Sequence, residues 1–326
     1  MPNTPTTTVY PPASEVMPQT TKLLKSSPRT AHGYTPFVTT RINIAPASLA
    51  TALVLFLLPA ALFTLAIHLV GPVMRLHGST WWVTYHVILV LPMALLLAAA
   101  LVALRLETHS LSWPRVRDRF RLRRLNRSGW LWSMALAGFM YGGNVGDGIA
   151  LVGSGLALWI ESRKNAFLWP LIAGFTWAKR NLGALQPLLE KIRFYEQSEF
   201  VKEFLSRFGP GDFMGIPLAG AWWLVFYYAA ILLIFNVGGE ELWWRGYVLP
   251  RQELARGKWA WIVHGALWAV FHIFFQPTLW DMVRMCPTCL ALAFVCQRLQ
   301  NTWPGVIGHT FGNMPFLLQL VRGAAN

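Results

Sequence analysis

Residues 222–246 read WWLVFYYAAILLIFNVGGEELWWRG, an apolar run closing on Glu240, Glu241 and Arg245. A charged side chain deep in a membrane helix costs about 2.5–3.5 kcal/mol on insertion scales, so such residues point to function by default. Adjacent helical residues point about 100° apart, so the two glutamates face different neighbours. Glu241 and Arg245 are four residues apart and can pair on one face. That pair would keep Glu241 ionised and fix its helix. Glu240 is then free to project elsewhere as a general base. The plainer alternative is a solvated helix end with an ordinary ion pair.

Two further polar clusters lie downstream in apolar surroundings. Trp268 and His272 share a face of the run at about 259–276, and His309 and Asn313 share a face near the end of 286–322. Taken singly, each suits helix packing: a hydrogen-bonded histidine, or a polar pair holding helices together. Taken together they form a hydrolytic set. Glu240 would accept a proton from water that His272 holds and polarises. His309 and Asn313 would stabilise the tetrahedral oxyanion, and protonated Glu240 or a histidine would return the proton to the leaving amine. Ser154 and Ser206 are remote in sequence and Cys296 lacks a recognisable histidine partner, so no serine or cysteine nucleophile is expected.

The rest of the chain reads as membrane protein. Of 326 residues, 55% are hydrophobic and 13% charged, and mean hydropathy is +0.42. Soluble chains carry about 25% charged residues. Many of the 17 tryptophans edge apolar runs, as suits a lipid–water interface. The net charge of +14 sits mainly in the tail and loops, which favours membrane topology and anionic lipid over nucleic acid. Of the three cysteines, Cys286 and Cys289 form one CxxC, too few ligands for a tetrahedral zinc site and best read as packing.

The expected fold is all-α: a polytopic membrane bundle of about seven to eight transmembrane helices behind a disordered N-terminal tail. Residues 1–45, rich in Pro and Thr, are the tail, and no cleavable signal peptide is expected. The first spans cover about 48–72 and 81–104. Arg105, Arg115, Arg117, Arg119, Arg121, Arg123, Arg124 and Arg127 then mark a cytoplasmic loop, with the tail on the same side. Gly138, Gly142 and Gly146 recur every fourth residue, suiting close helix contact; Asp147 faces other helices or marks a break. Residues 165–178 are a short apolar piece. Residues 186–208 are predicted to form one interfacial amphipathic helix, ended by Gly209-Pro210-Gly211. Residues 46–215 thus precede a catalytic core at 216–322, whose last stretch breaks near Gln300–Pro304.

The three clusters, in this order on successive apolar segments, resemble the CPBP family, the CAAX-protease and bacteriocin-processing proteins that include the CAAX prenyl endoproteases. The family pattern is EExxxR, an aromatic four residues before a histidine, then HxxxN. Here it reads Glu240-Glu241…Arg245, Trp268…His272 and His309…Asn313, with Gly246 also fitting. The resemblance covers about residues 216–322. It implies a helical membrane fold with a cavity open to the cytosol. Glu240 and His272 would be catalytic, His309 and Asn313 would form the oxyanion site, and Glu241, Arg245 and Trp268 would support them. The substrate would be a lipidated, CAAX-like protein or a leader or bacteriocin-type peptide. No cofactor is expected: two His and two Glu could bind zinc, but the chain has no HExxH, and Arg245 and Asn313 are poor zinc partners. The expected partners are membrane lipid and that substrate, with no nucleic acid and the oligomeric state open; the expected location is the plasma (cell inner) membrane. The rival readings are a non-catalytic scaffold, immunity or regulatory protein, and a transporter, although no internal repeat is visible.

Overall fold

The computed structural model describes residues 44–145 and 182–326, and these are mostly helical. The readings of the tail to residue 43, of Gly146 and Asp147, and of 165–178 lie outside the described residues.

Helices α1 (Leu49–Leu76) and α2 (Trp81–Thr108) follow one another across a short turn. Ser48 and Thr80 begin them, each side chain accepting a backbone N–H three residues on. Each helix widens to π-type turns, at Ala66–Val70 and His86–Val90, just before a proline in the next turn. Proline has no N–H to donate and crowds the carbonyl four residues back, and a wider turn accommodates both. A short helix α3 (Trp113–Arg119) and α4 (Arg127–Val145) follow. Later come α5 (Glu199–Ser206) and a small hairpin pairing Asp212–Phe213 with Ile216–Pro217.

The second half contains α6 (222–256), α7 (Ala260–Phe271, continued by a tighter turn to Phe275), α8 (Leu279–Leu299) and α9 (Trp303–Ala325). The stretch Trp222–Phe275 is 54 residues of apolar helix. At 1.5 Å per residue, about 80 Å, it far exceeds a hydrocarbon core of about 30 Å. It therefore folds back, at Gly257, whose φ of +56° suits a residue without a side chain. Gln252 then meets His264, and Glu240 meets Trp268, across the two antiparallel arms. The break near Gln300 falls where expected: Gln300 turns left-handed and α9 starts at Trp303.

Among the described residues, four stretches are long and apolar enough to cross a membrane: Leu49–Leu76, Trp81–Thr108, Trp222–Phe275 and Leu279–Leu299. That is fewer than the seven to eight expected. One of the four holds two arms, and α4 and α9 fall outside the set. Helix α9 carries His309, Thr310, Asn313, Gln319 and Arg322, which lower its apolar character. Helices α4 and α9 nevertheless make the most extensive contact of any helix pair described.

Aromatic side chains join α1 to the second half. Phe56 stacks on Trp244 at 4.3 Å, Phe63 meets Phe271 at 5.5 Å, and Trp244 meets Phe271 at 5.0 Å. All four are fully buried.

Residues 186–208 are not one helix. Helix occupies only Gln186–Leu189 and Glu199–Ser206. Between them the chain turns at Glu190 and Lys191 and then pairs with the segment after α7: the Phe194 N–H donates to Pro277 O, and Ile192 O accepts from Leu279 N–H. The 277–279 loop thus takes backbone groups that a continuous helix would use. Ser198 then caps the restart.

The arginine run is partly folded into the protein. Arg119 is buried and donates from Nε to Glu107 at 2.7 Å and from Nη1 to Gly246 O at 2.9 Å. Burial lowers its guanidinium to about 10, so it stays charged at neutral pH. Arg121 makes a two-pronged pair with Glu253 at 2.8 and 2.9 Å. Arg119→Met is expected to lower stability by about 3 kcal/mol, the scale for stranding one member of a buried pair. A fall in melting temperature in detergent checks this; an unchanged midpoint would mean that Arg251, which also pairs with Glu107, is sufficient alone.

Candidate active site

The glutamates sit where α6 is most irregular. Only Gly239–Glu241 is α-helical, between π-type turns at Leu232–Gly238 and Leu242–Val248. Such turns recur at functional sites because they re-aim side chains. Both glutamates are buried, 3% and 0% exposed, so neither is the solvated helix end of the plainer reading.

They have different partners. Glu240 is held by neutral donors, one on each oxygen: Asn236 Nδ2 to Oε1 at 3.0 Å and Trp268 Nε1 to Oε2 at 3.0 Å. On Glu241, Oε1 accepts from both Arg245 Nη1 and His309 Nδ1, each at 3.0 Å. The Arg245 guanidinium lies 3.6 Å from the centroid of the Trp268 ring, so a cation–π contact adds to the ion pair. Trp268 thus serves both carboxylates, donating to one and supporting the cation of the other.

His272 enters through the same tryptophan. Its Nδ1 donates to Trp268 O at 2.7 Å, and its ring stands edge-on to Trp268 at 5.1 Å. With the proton on Nδ1, Nε2 is left as an acceptor for a water. From α9, His309 reaches Glu241, leaving its own Nε2 for other partners. Asn313 Nδ2 donates to Asn236 Oδ1 at 3.1 Å and to His309 O at 3.2 Å. Asn236, Glu240, Glu241, Arg245, Trp268, His272, His309 and Asn313 therefore form one bonded network over three helices.

Two features differ from the sequence-based picture. Both Asn313 N–H groups are taken inside the protein, so Asn313 does not offer a free donor in this arrangement. His309 is committed to Glu241 through Nδ1. Asn236 was not singled out in sequence; the available sign was its spacing, four residues before Glu240 in an apolar helix. A second polar contact also escaped it: His264 and Gln252, both fully buried, are bonded at 2.6 Å one turn of α7 before Trp268.

Among the described residues, no group of three or more His, Cys, Asp or Glu side chains is placed to hold a metal ion. The Glu241 oxygen nearest His309 already carries the Arg245 cation, which would repel a dication. Cys286, Cys289 and Cys296 are free thiols, and Cys286 donates to Met282 O within its own helix.

Residues 221–315 match the family described as type II CAAX prenyl endopeptidase, Rce1-like. The matched stretch is under a third of the chain, yet it runs from the start of α6 into α9 and holds every residue of the network. No curated protein and no solved structure matches the chain.

Proposed function

We propose, from the premise that residues 221–315 belong to the CAAX-protease family, that this integral membrane protein is an endopeptidase using Glu240 as the base for water. The observation carrying this reading is the division between the glutamates. Glu241 is paired with the Arg245 cation and bonded to His309, whereas Glu240 accepts from the uncharged Asn236 and Trp268, which suits it to act as the base. Water held by His272 Nε2 and Glu240 would lose its proton to Glu240 as its oxygen attacks the scissile carbonyl carbon. The carbonyl oxygen becomes the oxyanion, facing His309 and Asn313. The Glu240 proton then passes to the leaving nitrogen as the C–N bond breaks. The reaction would need no metal, in keeping with the Arg245 charge at the carboxylate a metal would use. The substrate class is a prenylated protein with a CAAX-like tail or a peptide presented at the membrane.

A second reading is a non-catalytic scaffold. What favours it is the saturation of Asn313, whose N–H groups are all satisfied by the protein itself. The deciding experiment compares peptide termini, by mass spectrometry, in membranes holding wild type or Glu240→Gln. New C-termini with wild type alone establish the protease and name its substrate. Identical profiles from folded, equally abundant proteins with candidate substrates present favour the scaffold.

A further inference from the structure

Among the described residues, Asn236 is the one side chain bonded to both Glu240 and Asn313, and its two contacts have opposite polarity. A carboxylate only accepts, so Glu240 Oε1 draws the Asn236 NH2 toward itself. Asn236 Oδ1 must then face α9, where it accepts from Asn313 Nδ2. The ionised state of Glu240 therefore fixes the orientation of two carboxamides in series. In that orientation Asn313 has no N–H to spare, its second hydrogen going to His309 O.

Proton uptake reverses the series. Trp268 Nε1 can only donate, and a carbonyl oxygen accepts better than a hydroxyl oxygen, so Oε1 is the favoured place for the proton taken from water. Until it passes to the leaving nitrogen, Oε1–H is a donor that needs an acceptor, which Asn236 presents after a half-turn of its carboxamide. Its NH2 then faces α9, Asn313 turns its Oδ1 to accept, and the Asn313 NH2 swings away from Asn236. In this step the water O–H bond and the carbonyl π bond break, an O–H bond to Glu240 Oε1 and a C–O bond to the carbonyl carbon form, and the amides rotate.

We propose that Asn236 is a positioning residue that couples protonation of Glu240 to release of the Asn313 N–H for the oxyanion. The inference rests on the proposed hydrolytic reading and deepens it, since it supplies the donor as the negative charge appears. The ionisable groups around Glu240 are Glu241 and Arg245 on α6, His272 on α7, Cys289 on α8 and His309 on α9; Arg245 and His309 are each bonded to Glu241.

The test uses the full chain in detergent and two readouts. The first is infrared difference spectroscopy during a pH titration, with isotope-labelled asparagine. Asparagine carboxamide bands should change in step with the appearance of the Glu240 carboxylic acid band, and the change should be absent in Glu240→Gln and in Asn236→Leu. A carboxylic acid band appearing with silent asparagine bands overturns the proposal; wild type and Glu240→Gln suffice for this if Asn236→Leu does not fold. The second is turnover of a quenched, farnesylated peptide ending in a CAAX tail. Asn236→Leu and Asn313→Leu should each lower kcat about 10²-fold, the scale for one oxyanion donor, with KM unchanged. The double variant should be no worse than either, because both remove one coupled device. Independent, multiplying losses overturn it. Coupled infrared bands in a protein that cuts no peptide would instead sink the protease reading and leave the amide coupling standing.

Discussion

Glu240→Gln folds like wild type and loses about 10²–10⁴-fold in cleavage, the scale for removing a general base, whereas Glu241→Gln loses the folded protein. The substitutions are chemically identical and one residue apart, so the contrast comes entirely from partners. At Glu240, a glutamine can present its oxygen to Trp268 Nε1 and its NH2 to Asn236, which turns its carboxamide to accept. Both bonds at the residue survive, Asn313 turns with Asn236, and the basicity is gone. At Glu241, a glutamine cannot neutralise Arg245, whose side chain is fully buried against Trp268. An uncompensated buried guanidinium costs about 3–5 kcal/mol, a large share of the 5–15 kcal/mol typical of a whole domain. Size-exclusion profiles and melting curves in detergent, followed by a cleavage assay on whatever folds, read both predictions. A stable, inactive Glu241→Gln beside a misfolded Glu240→Gln would exchange the two roles.

The grouping of Glu240, Glu241, Arg245 and the two histidine motifs was readable in the sequence because charged and polar side chains inside apolar helices are rare and costly, and although each motif alone suits helix packing, the three together stood out. That the two glutamates have different partners was readable too: a pair four residues apart leaves the neighbouring glutamate facing elsewhere. Asn236 was hidden for the opposite reason. A neutral amide in a membrane helix carries no charge signal, and its significance comes from Asn313, 77 residues away in sequence. The error over 186–208 has a similar source. The apolar repeat there continues in register through residues that are not helical, because the backbone bonds that interrupt it come from the 277–279 loop. Arg119 and Arg121 show the limit of reading charge as exposure: nothing local in the arginine run marks the one that goes inside to Glu107 and Gly246 or the one that pairs with Glu253.

Gly305→Ala is the substitution expected to do the most damage for the least chemistry. A Cβ at Gly305 would lie 2.2 Å from Glu241 Oε2 and 2.9 Å from Cys296 Sγ, both well inside contact distance. An ordinary overpacked methyl costs about 1–3 kcal/mol because neighbours shift to admit it. Here the nearest neighbour is poorly able to shift. The other oxygen of the same carboxylate is tied to Arg245 on its own helix and to His309 on the helix that carries Gly305. Either Glu241 abandons those partners, stranding a buried cation, or α9 moves away from α6 and takes His309 and Asn313 out of the network. Both routes bring the penalty to the scale of a broken buried ion pair, about 3–5 kcal/mol. The expected result is loss of most folded protein on size exclusion, and for any folded remainder a melting point well below wild type and no cleavage. Adding Cys296→Ala should not rescue it, since the carboxylate is the closer obstacle. Recovery in that double variant would place the obstruction at the thiol, and a wild-type melting point for Gly305→Ala alone would mean that α9 does not approach Glu241 as closely as this packing requires.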